Sequence, residues 1–101
     1  MALVYHFDWD ANKARANLRK HGISFRLAAS VFKDALALTV YDNDHSEHEE
    51  RWVTIGRAEN DQTLVVVHTC VTLNPSEIKL RIISARQADK QETTDYEESP
   101  H

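Results

Sequence analysis

Nine side chains have the types that metal-free chemistry on a phosphodiester needs. Trp9, Lys13, Lys20 and His21 fall early in the chain, and Arg57, His68, Arg81, Ser84 and Arg86 fall in later segments that read as strands. In RNA cleavage of this kind the ribose 2′-OH attacks its own adjacent phosphate. The site must then supply a proton acceptor, a proton donor and cations where phosphorane charge develops. Arginine suits the last role because it stays charged and offers a planar fork to phosphate. Each residue alone has a plainer reading: Trp9 as core, and His68 as a hydrogen-bonded, half-buried side chain.

Other constellations carry less. Asp42-Asn43-Asp44-His45-Ser46-Glu47-His48 offers oxygen and nitrogen donors in one short stretch. It lacks the glycine turn and final bidentate glutamate of a calcium loop, and no helix places His45 and His48 on one face. It reads as a solvated loop, and neither a metal nor another cofactor is expected. Cys70, the single cysteine, lies in an apolar run and reads as a small core residue. One cysteine also excludes an intramolecular disulfide and a four-cysteine zinc site, which favours a reducing cytoplasm.

The elements that must position these groups follow from pattern. Alternation over Leu3 to Asp8 predicts a strand. Asp10 can cap a helix running from Ala11 to His21, which Gly22 stops. Ser24 can cap a second helix whose stripe of Phe25, Ala28, Ala29 and Phe32 faces the core. Strands are predicted at Leu36 to Tyr41, Arg51 to Arg57, Thr63 to Val71 and Ile78 to Ala85, with a polar loop from Asp42 to Glu50 and turns at 59–62 and 73–76. Short connections between them predict an antiparallel meander. Asp89 followed by Glu92 predicts a capped last helix. The class is α+β, in the order β-α-α-β-β-β-β-α, with helices packed on one mainly antiparallel sheet. Strand alternation puts Ser84 and Arg86 on one face, which Arg57 and Lys20 are expected to share. It puts Arg81 with Ile83 on the other, where a structural ion pair is expected.

The chain has 101 residues, 42% of them hydrophobic and 28% charged, which suits one globular domain over 1–101. No apolar run approaches a membrane span, and the first ten residues lack the pattern of a secretory signal. The net charge of −4 hides a segregated distribution. Residues 11–33 hold six bases and no acid, whereas 34–50 hold six acids and no base. Such blocks either neutralise each other in the fold or leave one strongly positive face.

The same residues resemble the BrnT toxins. The likeness runs through Phe7-Asp8-Trp9-Asp10, Lys13, Asn17, Lys20-His21-Gly22-Ile23-Ser24-Phe25, Ala28 and Val31-Phe32. It continues through Asp44-His45-Ser46, Glu50-Arg51, Ile55-Gly56-Arg57, Leu64 to Val67 and Arg81-Ile82-Ile83-Ser84-Ala85-Arg86, then Ala88 and Tyr96. The resemblance implies a type II toxin–antitoxin toxin with a RelE-like ribonuclease fold that inhibits translation by cutting RNA. It implies a BrnA-like antitoxin with a ribbon-helix-helix DNA-binding domain, a heterotetramer of the two, and operator DNA reached only through the antitoxin. Carried over by position, it points to Trp9, Lys20, Arg57, Ser84 and Arg86 as the active surface. Lys20, Arg57, Ser84 and Arg86 are expected to be catalytic, and Trp9, with Lys13, His21 and His68 of the basic and aromatic set, to bind RNA, His21 being alternatively structural. This chain departs from more basic members in its last helix, where Asp89, Glu92, Asp95, Glu97 and Glu98 outnumber Lys90. A helix so charged repels RNA if it lies at the site.

Three readings remain distinguishable. A metal-independent endoribonuclease cuts RNA in isolation, a catalytically weak toxin-fold co-repressor binds antitoxin without cutting, and a DNA-binding module binds duplex in a salt-dependent way with no partner.

Overall fold

In the computed structural model, which describes residues 3–99, the chain is built from six strands and three helices. Strand β1 spans Val4–Trp9, helix α1 Ala11–His21 and helix α2 Phe25–Ala29, the last running into a tighter turn over Ser30–Lys33. Strand β2 spans Leu38–Tyr41, β3 Trp52–Arg57, β4 Thr63–His68, β5 Val71–Asn74 and β6 Glu77–Gln87, and helix α3 spans Lys90–Glu98.

The helix ends form where the sequence places them. Asp10 accepts from the Lys13 amide at 2.9 Å, and Ser24 accepts from the Leu27 amide at 3.0 Å. Gly22 takes a φ of +70° beyond α1 and returns its N–H to Leu18, a conformation that costs a residue with a Cβ more. Asp89 and Glu92 form a complete capping box on α3.

The sheet order is β1-β6-β4-β3-β2, with β5 also paired to β6. The β2–β3–β4 meander is antiparallel, as expected, but β1 runs parallel to β6, from Val4 beside Glu77 to Trp9 beside Ile82. The single strand expected over Thr63 to Val71 is two. Its ladder with β6 breaks after His68, and β5 resumes the pairing beside Lys79. The expected order therefore lacks one strand. Cys70 lies in that break and is exposed, so it is not the core residue expected.

Ile23, Phe25, Ala28 and Val31 pack on Leu64, Val66, Ile82 and Ala85, so α1, α2 and the tight turn cover one face of the sheet. Gly56 belongs to this layer, because a Cβ there would stand 2.7 Å from Val31. The opposite face carries the 42–50 loop, through Glu49, which pairs with Arg81 and lies 3.7 Å from Arg51, and is met at one end by α3, whose Glu92 pairs with Arg86. At the end of the sheet where β3 and β6 stop, α3 contacts β3.

Candidate active site

A bulge in β6 decides which side chains meet. Val67 is opposite Ser84 while His68 is opposite Ile82, so β6 carries an extra residue there. Ile82 and Ala85, three apart, consequently both face the helices. Ser84 and Arg86 point to the open face, as alternation predicts, but so does Arg81, whose expected place on the other face assumed an unbroken strand. The ion pair expected of Arg81 is present, with Glu49.

Arg57, the last residue of β3, shares the open face with Ser84 and Arg86 through the β3–β4–β6 register. Strand spacing puts the Arg57 and Arg86 Cα atoms roughly 12 Å apart, within joint reach of one nucleotide for two long side chains. The amide of Arg57 donates to Asp34 Oδ2 at 2.8 Å, and its guanidinium carbon lies 5.9 Å from the centre of the Tyr96 ring. The Tyr96 hydroxyl donates to the same oxygen at 2.5 Å. Burial pushes the Asp34 carboxyl up, but the Tyr96 hydroxyl and the Arg57 and Leu36 amides outweigh it and hold the group below its ordinary range.

Arg86 donates through Nη1 and Nη2 to the two carboxylate oxygens of Glu92, at 2.7 and 2.8 Å. This pair is the main cause that lowers the Glu92 carboxyl to about 2. Ser84 is half-buried and its hydroxyl has no hydrogen-bond partner among the described residues.

Lys20 and His21 are exposed in the last turn of α1, three and four positions beyond Asn17. Asn17 bonds the backbone of Ala85 from the edge of β6 that β1 leaves uncovered. Helical spacing puts Lys20 and His21 near its side of α1, at the sheet edge. But α1 packs on the face opposite Ser84 and Arg86, so Lys20 lies at the rim rather than on the face it was expected to share. Trp9 and Lys13 are elsewhere. Trp9 packs edge-on to Phe25 at 6.1 Å on the helix-covered face, and Lys13 is exposed in the first turn of α1. With Leu18 and Arg26, Trp9 lines a shallow hollow of about 220 Å³.

His68 leaves the RNA-binding set. It is 2% exposed, with Nε2 bonded to the Thr54 hydroxyl at 2.7 Å and Nδ1 to the Thr69 carbonyl at 3.0 Å, so no atom of the ring is available to RNA. Burial lowers its pKa from 6.5. As pH falls through 6.5 the unfolded chain binds a proton that the native ring resists, so this residue's stabilising effect is complete above 6.5 and lost between 6.5 and the lowered native value. The melting temperature is expected to fall between about pH 7 and pH 5, and less so in His68→Gln. A wild-type melt flat across that interval would show that His68 titrates as it does in the unfolded chain.

Asp42, the first donor of the 42–48 segment, is used within the loop, accepting from the Asp44 amide and the His45 ring. Among the described residues no three His, Cys, Asp or Glu side chains converge as metal ligands. Asp34, Glu92 and, beyond its place in the family likeness, Tyr96 are the groups at this site that sequence reasoning did not assign to it. Only Glu92 had a signal, its capping-box position, and that signal concerned the helix rather than Arg86.

A family model described as the ribonuclease toxin, BrnT, of type II toxin-antitoxin systems matches residues 9–92. Among solved structures the chain is similar to the crystal structure of the Brucella abortus ribonuclease toxin BrnT. The two are 27% identical with a TM-score of 0.58, over 89% of this chain and 99% of that one. No curated protein sequence matches it.

Proposed function

Because the chain belongs to the BrnT family of ribonuclease toxins of type II toxin–antitoxin systems, we propose that it is a metal-independent endoribonuclease acting at Arg57, Ser84 and Arg86, with Lys20 at the rim. The observation that carries this reading is the presence of two arginines and a hydroxyl, the latter without a hydrogen-bond partner among the described residues, on the sheet face that the α1–α2 layer leaves open. In the reaction the 2′ oxygen bonds to phosphorus as its proton passes to water, the bond to the 5′ oxygen breaks, and that oxygen takes a proton from water, leaving a 2′,3′-cyclic phosphate. Arg57 and Arg86 stabilise the phosphorane oxygens, and Ser84 donates a hydrogen bond to the same group. His21 contacts the RNA beside Lys20, while Trp9 and Lys13 extend the contact around α1.

In the cytoplasm, RNA cleavage inhibits translation until a BrnA-like antitoxin with a ribbon-helix-helix domain neutralises the toxin. The pair forms a heterotetramer that represses its own operon, with DNA contacted by the antitoxin alone. The loop hollow of about 370 Å³, lined by Asp44, Glu47 and Glu49 together with His45, His48 and Arg51, carries more carboxylates than permanent cations and suits a basic antitoxin segment. A second reading, a co-repressor of weak activity, is favoured by one observation: Arg57 and Arg86 both already contact α3.

Expression of the chain alone is expected to arrest growth and deplete messenger RNA, with both reversed by the neighbouring antitoxin gene. Purified protein is expected to cut RNA in EDTA. Soluble protein with neither effect would establish the co-repressor reading, and cleavage lost to EDTA and restored by a divalent ion would end the metal-free one.

A further inference from the structure

Glu92 does two things at once. Its carboxylate closes the capping box, accepting from the Asp89 amide at 2.9 Å, and it takes both terminal nitrogens of Arg86. Only the first of these is needed to end a helix. A carboxylate and a phosphate make the same bidentate demand on a guanidinium, so the two compete for that edge of Arg86. The pair is also accessible, with the Arg86 and Glu92 side chains 43% and 23% exposed.

We propose that Glu92 is a built-in competitor for RNA phosphate, which RNA must displace from Arg86 in order to bind. This deepens the reading above and rests on its assignment of Arg86 to the RNA site.

The displacement is local. Tyr96, 6% exposed and bonded to Asp34, anchors the far end of α3, so the helix can stay in place while the Glu92 side chain rotates. Arg86 holds the Glu92 carboxyl at about 2, so the group stays charged at neutral pH and mild acid does not release it. A competing anion can. The acidic last helix, which would otherwise merely repel RNA, thereby gains a specific contact that sets how much phosphate affinity the toxin shows.

Glutamine serves at the third position of a capping box as glutamate does, so Glu92→Gln keeps the helix end and removes the competing charge. The probe is a short fluorescent single-stranded RNA with 2′-O-methyl riboses, which binds without being cut. Glu92→Gln is expected to bind it about tenfold more tightly, and the logarithmic salt dependence is expected to steepen by up to about 0.7, because no displaced carboxylate takes up a cation in exchange. The gain should vanish in Arg86→Ala/Glu92→Gln. Asp95→Asn, which removes an exposed charge from the same helix, should stay within about twofold of wild type. Should the Gln variant melt early, Glu92→Ser repeats the measurement.

Unchanged or weaker binding by a well-folded Glu92 variant would overturn the proposal and make Glu92 a positioning residue for Arg86. A gain that survives without Arg86 would overturn it too, by showing a general charge effect. Cleavage of unmodified RNA by the same proteins separates this from the nuclease reading. Tighter binding through Arg86 with no cutting by any variant defeats only the nuclease reading. Cutting by wild type with no gain in Glu92→Gln defeats only the competitor, and no RNA binding by any of them defeats both.

Discussion

Arg86→Ala is expected to lower the RNA cleavage rate by about 10² to 10³, the scale seen when one preorganised donor to a developing oxyanion is removed. The guanidinium contributes most when the phosphorane oxygens carry their greatest charge, so the loss should appear in the rate of bound substrate as well as in affinity. Stability should change little. The pair that disappears is partly solvated, and even its bidentate geometry is worth only about 1 kcal/mol at such exposure. Arg81→Ala is the informative companion. The bulge at Ile82–Ser84 brings Arg81 to the same face, so strand parity no longer separates the two residues, and the separation rests on the partner of each. Arg81 is paired to Glu49 of the 42–50 loop, while Arg86 is paired to the residue we propose RNA displaces. Loss of cleavage in Arg81→Ala with full activity in Arg86→Ala would move the site to the Glu49 end of the sheet.

The elements were largely legible because their signals are local. Asp10, Gly22, Ser24 and the Asp89–Glu92 box each act within a few residues, and each is found where its chemistry puts it. The bulge was not legible. Nothing in Arg81-Ile82-Ile83-Ser84 announces an extra residue, which shows only in the register against the partner strand, between Val67 and His68. Without it, period-two alternation misplaces Arg81 while still placing Ser84 and Arg86 correctly. His68 shows the converse limit. Its two hydrogen bonds go to Thr54, fourteen residues away, and to its neighbour Thr69, so only the β3–β4 register reveals that its polar groups are satisfied inside. The contacts that shape the Arg57 end of the site are longer still, with Tyr96 and Asp34 separated by 62 positions.

Asn17→Ala is expected to cost about 3 to 4 kcal/mol, a large part of the stability of a domain this size. Asn17 is the only residue of α1 that is buried, at 7% exposure, whereas the apolar Leu18 beside it is 51% exposed. Its amide stands in for a missing strand. β1 pairs with β6 only as far as Ile82, and at Ala85 the Asn17 side chain accepts from the N–H at 3.1 Å and donates to the C=O at 2.8 Å. It also donates to the Ile23 carbonyl at 2.9 Å, which fixes the chain after Gly22. Alanine leaves three buried backbone groups without partners. Asn17→Asp tests whether hydrogen bonding rather than volume is responsible. Aspartate keeps the acceptor for the Ala85 N–H but turns a carboxylate toward two carbonyls, so its pKa is raised in the folded chain. Its penalty should be at least as large at neutral pH and should shrink as pH falls toward the unfolded value of about 3.9, because protonation restores one donor. Chemical denaturation of the three proteins across that interval decides the matter. Wild-type stability in Asn17→Ala would mean that apolar packing alone holds α1, and with it Lys20, against the sheet edge.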